Sequence, residues 1–332
     1  MRKLLLVLFS VLLFIGCANA TDPTEKVEEE TKEEVQEETK EEETSEEEVV
    51  EENKEEVASI KILSPHGAPA LSLIPIINEA KHDVNTVGGA DVIQAELAQK
   101  SPNYDVILAP TNLGVKLAAT GNSDYLLYAI VDYGNLYLVG NSDADLNNAN
   151  IAAFGESAVP GLVYAKTYES LLANTTFYND VSEAREMLLS GNAEVALLAE
   201  PAATATIAAA KKEGKELKIL SNVQAEWGDD GFPMAGMFVH KDFYENNKEA
   251  IEGIYELMKS YSESINMDDT TALVNDIKNG GIELYGVPNA EIIGKCYDRI
   301  NIDIKKASEC TDDIAEFLKL FGVEDVKGTI IE

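Results

Sequence analysis

Short apolar runs recur along most of the chain. Each stops on a polar or turn-forming residue, and apolar positions spaced three and four apart come next. That alternation predicts strands interleaved with helices, an α/β arrangement. Strands are expected over 59–63, 83–87, 106–109, 125–131, 136–139, 151–154, 194–199, 218–220 and 234–240. Helices are expected over 70–80, 91–99, 113–119, 162–172, 182–190, 202–212 and 246–264, with more between 289 and 321. The run Val106–Ala109 is apolar at every position, which suits a strand buried on both faces.

The residues just past each run supply the candidate chemistry. In open α/β sheets, ligands sit beyond the carboxyl ends of the strands. Val106–Ala109 ends in Pro-Thr-Asn, so Thr111 and Asn112 either touch a ligand or cap the next helix. The first run passes into Ser64-Pro65-His66-Gly67-Ala68-Pro69, where Pro69 suits a first helical turn. The free N–H groups there, with Ser64, His66, Gly67 and Ala68, can receive an anion or a carbonyl oxygen. Ile151–Phe154 leads into Gly155-Glu156-Ser157-Ala158-Val159-Pro160-Gly161, which offers Ser157 or a plain helix cap. Glu194–Ala199 stops at Glu200-Pro201 and so mirrors the Pro-Thr-Asn stop. Tyr133 lies in the junction between two strands. Trp227 and Phe232 either stack on a flat ligand or wedge two lobes apart.

Composition changes the picture at the amino terminus. Arg2 and Lys3 precede an apolar run over 4–15, too short for a comfortable membrane-spanning helix and suited to a secretory signal. Thr21 to Val57 is mostly Glu and holds about −15 of the −34 net charge, so self-repulsion is expected to leave it as an extended spacer. About 275 residues remain, enough for two lobes or one large domain. Their acidic excess argues against nucleic acid as a partner. Three histidines are too few to favour a His-built metal cluster, and no cofactor motif, G-x-S-x-G elbow, Walker loop or HExxH appears. No catalytic residue is assigned and the chain is read as a non-enzyme. Cys296 and Cys310 form an even pair that an exported chain could join or leave free.

Phe14-Ile15-Gly16-Cys17 resembles a bacterial lipobox. That likeness implies cleavage before Cys17 and attachment of fatty acids, palmitate among them, at its sulfur and new amino terminus. Together with Gly67-Ala68-Pro69, 105–112, 155–160, Ala199-Glu200-Pro201 and 232–239, it makes the chain similar to ABC-transporter substrate-binding lipoproteins of the sulfonate/nitrate/taurine and thiamine-precursor group. The resemblance implies a two-lobed, type II periplasmic-binding-protein fold with a ligand cleft between lobes. It also implies a monomer held on the extracytoplasmic face of the membrane that hands a small molecule to ABC permease subunits. A sensory or adhesion lipoprotein on the same scaffold is the alternative, and an adjacent permease and ATPase gene pair would discriminate. The implied boundaries are 1–16 signal peptide, 17–57 lipidated spacer, 58–139 first lobe, 140–231 second lobe and 232–332 return. Cleft loops carry over to Ser64–Pro69, Thr111, Asn112, Ser157, Glu200 and, further out, Tyr133 and Trp227. Arginine is scarce in the body, only Arg185 and Arg299. Sulfonate and carboxylate binders often use a guanidinium fork, so the ligand is expected to be neutral or cationic, and an aromatic one is allowed.

Overall fold

The computed structural model describes residues 59–332. The signal segment, Cys17 and the Glu-rich spacer lie outside the described residues. Among the described residues no helix is long and apolar enough to cross a membrane.

Eleven strands among these residues build two sheets. In chain order they are β1 Lys61–Pro65, β2 Asp83–Val87, β3 Val106–Pro110, β4 Tyr125–Asp132, β5 Leu136–Asn141, β6 Ile151–Phe154, β7 Thr175–Tyr178, β8 Val195–Ala199, β9 Leu217–Asn222, β10 Ala235–His240 and β11 Lys305–Lys306. The first sheet runs β11-β4-β10-β3-β1-β2 and the second β7-β6-β8-β5-β9. Each contains three parallel strands and then takes an antiparallel neighbour: β10 beside β3, and β5 beside β8.

Period-two alternation decides which face each side chain takes. Ile107 and Ala109 of β3, Phe238 of β10, Leu136 and Leu138 of β5, and Val195 and Leu197 of β8 join one core cluster that runs through both sheets. Their neighbours Val106, Leu108, Met237 and Val239 join a second cluster behind the first sheet. Tyr137, Val139, Ala196 and Leu198 join a third behind the second sheet. Helix Lys248–Ser264 closes the back of the first sheet with Ile251, Ile254, Tyr255 and Met258.

The chain crosses between sheets at Tyr133–Asn135 and again between β9 and β10. The boundary expected near Gly140 is therefore displaced, because Gly140 pairs with Val195 and Lys218 inside the second sheet. The first junction is as short as a hairpin turn, yet β4 and β5 pair with different strands. The two crossings touch. Tyr133 O accepts from Phe232 N at 3.2 Å and from Asn301 Nδ2 at 3.0 Å. Gly134 and Gly231 take φ of 90° and 83°, and a Cβ on Gly231 would lie 2.3 Å from Tyr133 O, so only glycine lets the segments pass this closely.

Three further departures have local causes. The helix expected over 70–80 is two, Ala68–Ser72 and Ile74–Glu79, because Pro75 lacks an N–H and starts a new first turn. Strand β7 is a half-exposed edge strand whose short Thr-Thr-Phe-Tyr run gives little apolar signal. The loop expected after residue 222 holds a one-turn helix, Val223–Trp227, capped by Asn222 Oδ1 accepting from Ala225 N at 3.2 Å.

Candidate functional site

Register places the strand ends. Pro110, Ala235 and Asp132 sit side by side across β3, β10 and β4. The chain then crosses through three residues to β5, whose first residue, Leu136, pairs with the last of β8, Ala199. The carboxyl ends of β3 and β8 thus lie at the level of the crossings.

At the first-sheet end, the N–H of Thr111 donates to Met234 O at 3.0 Å and the N–H of Met234 donates to Asp132 O at 3.1 Å. Thr111 and Asp132 therefore flank the same residue. Thr111 is fully buried and does not cap helix Thr111–Ala119; the N-cap is Pro110, with no side-chain capping bond. Thr111 Oγ1, Asn112 Oδ1 and Asp132 Oδ2 are all buried without a hydrogen-bond partner among the described residues. Burial lifts the Asp132 carboxyl to about 7, opposed by the Gly134 N–H that donates to its Oδ1 at 3.3 Å. An unpaired buried polar group costs about 1–3 kcal/mol. All three belong to residues at the end of β4 or just past the end of β3. Sequence reasoning misses Asp132, although it ends an apolar run just as Glu200 does.

The other expected residues divide. Ser64 is buried and its Oγ donates to Pro65 O at 3.0 Å. Gly67 takes φ of 94° and spends its N–H on Tyr285 O at 2.9 Å, beside buried Ala68. His66 is exposed, its ring seated where a Cβ on Gly286 would lie 2.3 Å from Cγ. Ser157 is exposed and makes no cap to helix Val159–Thr167, whose N-cap is Ala158.

Glu200 is committed within the protein. Its side chain is fully buried, accepting from Arg299 Nε and Thr204 Oγ1, both at 2.8 Å, and from Thr204 N at 3.0 Å. It therefore receives a first-turn N–H of helix Ala202–Lys212 and is neutralised from the carboxyl-terminal segment, so both its oxygens are engaged in this arrangement. Arg299 also donates to Thr204 Oγ1 at 2.8 Å, and its carbonyl accepts from the Tyr137 hydroxyl at 2.9 Å. Nothing in its neighbours along the chain marks Arg299 for that role.

Tyr133 points into the core, 1% exposed, with its hydroxyl donating to Cys310 Sγ at 3.5 Å and Lys305 Nζ 4.8 Å from its ring centre. Trp227 is half-buried edge-on to Phe232 and Phe317, themselves stacked at 5.8 Å. Trp227 is thus taken up by an aromatic cluster, and the main reason for an aromatic ligand goes with it. Cys296 and Cys310 are both free. They lie in different clusters, and their thiols donate separately to Ile292 O at 3.2 Å and Lys306 O at 3.3 Å. Burial pushes the Cys296 thiol up to about 12. A reducing agent should accordingly leave the thermal midpoint of the protein unchanged; a clear fall would require a disulfide.

Among the described residues no group of three or more His, Cys, Asp or Glu side chains could hold a metal ion. No protein-family model matches the sequence. No curated protein matches it either. Solved structures do match. An ABC transporter protein from Parabacteroides distasonis is 19% identical with a TM-score of 0.67, over 83% of this chain and 99% of that one. The periplasmic aliphatic sulphonate binding protein SsuA from Escherichia coli is 12% identical with a TM-score of 0.61, over 83% and 92%. A ligand-binding component of an ABC-type import system from Staphylococcus aureus is 13% identical with a TM-score of 0.58, over 83% and 97%. The chain has the mixed α/β, two-sheet fold of ABC-transporter substrate-binding proteins.

Proposed function

We propose that this protein is an extracytoplasmic solute-binding lipoprotein, anchored through Cys17, that captures a small molecule between its two sheets and delivers it to an ABC importer. The single observation that carries this proposal is the set of unpaired buried oxygens on Thr111, Asn112 and Asp132 at the strand ends. A molecule whose donors satisfy them favours the closed arrangement, and closure follows only from that difference in affinity. The short crossings at 133–135 and 228–234 serve as the hinge.

The ligand carries N–H or O–H donors and is neutral or cationic. Thr111 can donate or accept, whereas Asn112 Oδ1 and an ionised Asp132 only accept. Arg299 is engaged by Glu200, and Arg185 donates through Nε to Thr206 Oγ1 at 3.0 Å. Arg299 is therefore not free to grip a sulfonate or carboxylate.

Mass spectrometry of small molecules released from natively extracted protein identifies the ligand. With it in hand, Thr111→Val with Asn112→Ala should weaken binding about 100-fold, since each lost hydrogen bond in a buried site contributes roughly 1–1.5 kcal/mol. The thermal midpoint should hold or rise, because the change removes two unpaired polar atoms. Unchanged affinity with a large loss of stability would remove these residues from the site.

A further inference from the structure

We propose that the carboxyl-terminal helix Thr311–Lys319 latches the two halves of the protein together, with Phe317 and Trp227 as the two sides of the latch. This rests on the reading of the two crossings as a hinge, and adds a device that holds the hinge before any ligand arrives. Each side of the latch is carried by a different half. Trp227 ends the one-turn helix Val223–Trp227, which follows β9 directly and packs on β5 and on helix Val159–Thr167 of the second half. Phe317 lies in the helix that starts at Thr311, beside the short turn Ala307–Glu309, and that turn packs on β4 of the first sheet. Cys310, between the turn and the helix, also receives the Tyr133 hydroxyl at 3.5 Å.

The contact is aromatic on both sides. The Phe317 ring lies 6.3 Å from Trp227, edge-on, and stacks at 5.8 Å and 18° on Phe232 of the return crossing. Phe321 meets Phe317 edge-on at 5.2 Å. Phe232 and Phe317 are fully buried, and Ile314, Phe317 and Leu318 belong to the core cluster that runs through both sheets. Phe232 sits within the crossing itself and so stays near the axis of any swing. Trp227 moves with the second sheet and Phe317 with the first, so a swing about the crossings pulls the edge-on pair apart. That separation loses the ring–ring attraction and wets apolar surface. Both costs favour the arrangement seen here in the ligand-free protein. A ligand then has to supply only the part of the closing energy that the latch does not.

Spin labels at positions 211 and 278 read the separation of the halves. Lys211 is on helix Ala202–Lys212, packed on the second sheet, and Lys278 is on helix Thr271–Gly280, packed on helix Ile74–Glu79 of the first half. Pulsed electron paramagnetic resonance of the ligand-free protein should show one narrow distance distribution in the wild type. Phe317→Ala should raise the long-distance population about threefold to tenfold, the factor that one aromatic pair contributes. Trp227→Leu should do the same, and the double variant should add little, because either change alone opens the latch. Ile254→Ala, 3% exposed behind the first sheet, is the control: it should lower the thermal midpoint and leave the distribution narrow. A distribution unchanged by Phe317→Ala and Trp227→Leu overturns the proposal, as does a wild type already dominated by long distances. So does equal broadening in Ile254→Ala, which would mark a general loss of stability, or additive broadening in the double variant, which would give the two rings separate roles. Should Phe317→Ala fail to fold, Trp227→Leu at its half-buried position decides alone. No ligand enters this measurement, so its failure leaves Thr111 and Asn112 as ligand residues, and unchanged ligand affinity in their variant leaves the latch.

Discussion

Wild-type protein should lose stability as pH rises from 4 to 7, and Asp132→Asn should abolish that loss. The Asp132 carboxyl is fully buried, and burial lifts it from 3.8 to about 7 in the folded chain. Below pH 4 both the folded and unfolded chains hold the proton, and the group is neutral in its effect. Between pH 4 and 7 the unfolded chain has released its proton while the folded chain still binds one. Folding then takes up a proton, and stability falls with pH by about 1.4 kcal/mol per unit. Above pH 7 the folded carboxylate is ionised as well, and the full deficit, about 4 kcal/mol, is constant. Asn keeps the oxygen that receives the Gly134 N–H and never ionises. Denaturant unfolding at several pH values should therefore show variant and wild type nearly equal at pH 4 and the variant several kcal/mol more stable at pH 8. A constant difference between them from pH 4 to 8 would mean that Asp132 is solvated or paired. Ligand should reverse the ranking: a donor placed on the carboxylate cancels the deficit in the wild type and finds a poorer acceptor in the variant.

Sequence and structure agree most closely where a glycine turn follows the strand. The strands expected at 83–87 and 151–154 match β2 and β6 to the residue, because each is bounded by residues that end a strand. The likeness of the strand ends is legible too, since Pro110-Thr111 and Glu200-Pro201 interrupt apolar runs at equivalent places. Which of those polar stops finds a partner inside the protein is not. Glu200 is closed by an arginine 99 residues further on, and Asp132 is left open because no such partner reaches it among the described residues. Both facts are set by long-range packing, and neither residue's neighbours in the chain encode them. Likewise, Gly140 resembles a linker residue beside the polar stretch after it. Only the pairing of Leu136 with Ala199 shows that the crossing has already happened. Trp227 has two apolar surfaces to choose between, and the stacked pair Phe232–Phe317 settles the choice from a helix roughly ninety residues away.

Arg299→Met should cost about 3 kcal/mol, at the lower end of the range for breaking a buried ion pair by removing one partner. The guanidinium is 30% exposed, but the Glu200 side chain it serves is wholly buried, so the variant leaves a carboxylate with two Thr204 bonds and no cation. For a body of this size the thermal midpoint should fall by about 6–12 °C. Glu200→Gln in the same chain should restore much of the loss, because removing both charges removes the desolvation penalty with the attraction. The cycle of single and double variants measures the coupling, expected at about 2 kcal/mol. The pair also joins helix Ala202–Lys212, after β8, to helix Tyr297–Ile300. Arg299→Met should therefore widen the distribution of distances between spin labels on Lys211 and Lys278, as read by pulsed electron paramagnetic resonance, while adding ligand narrows it again. A midpoint within about 2 °C of wild type would show that water, not Arg299, balances the Glu200 charge.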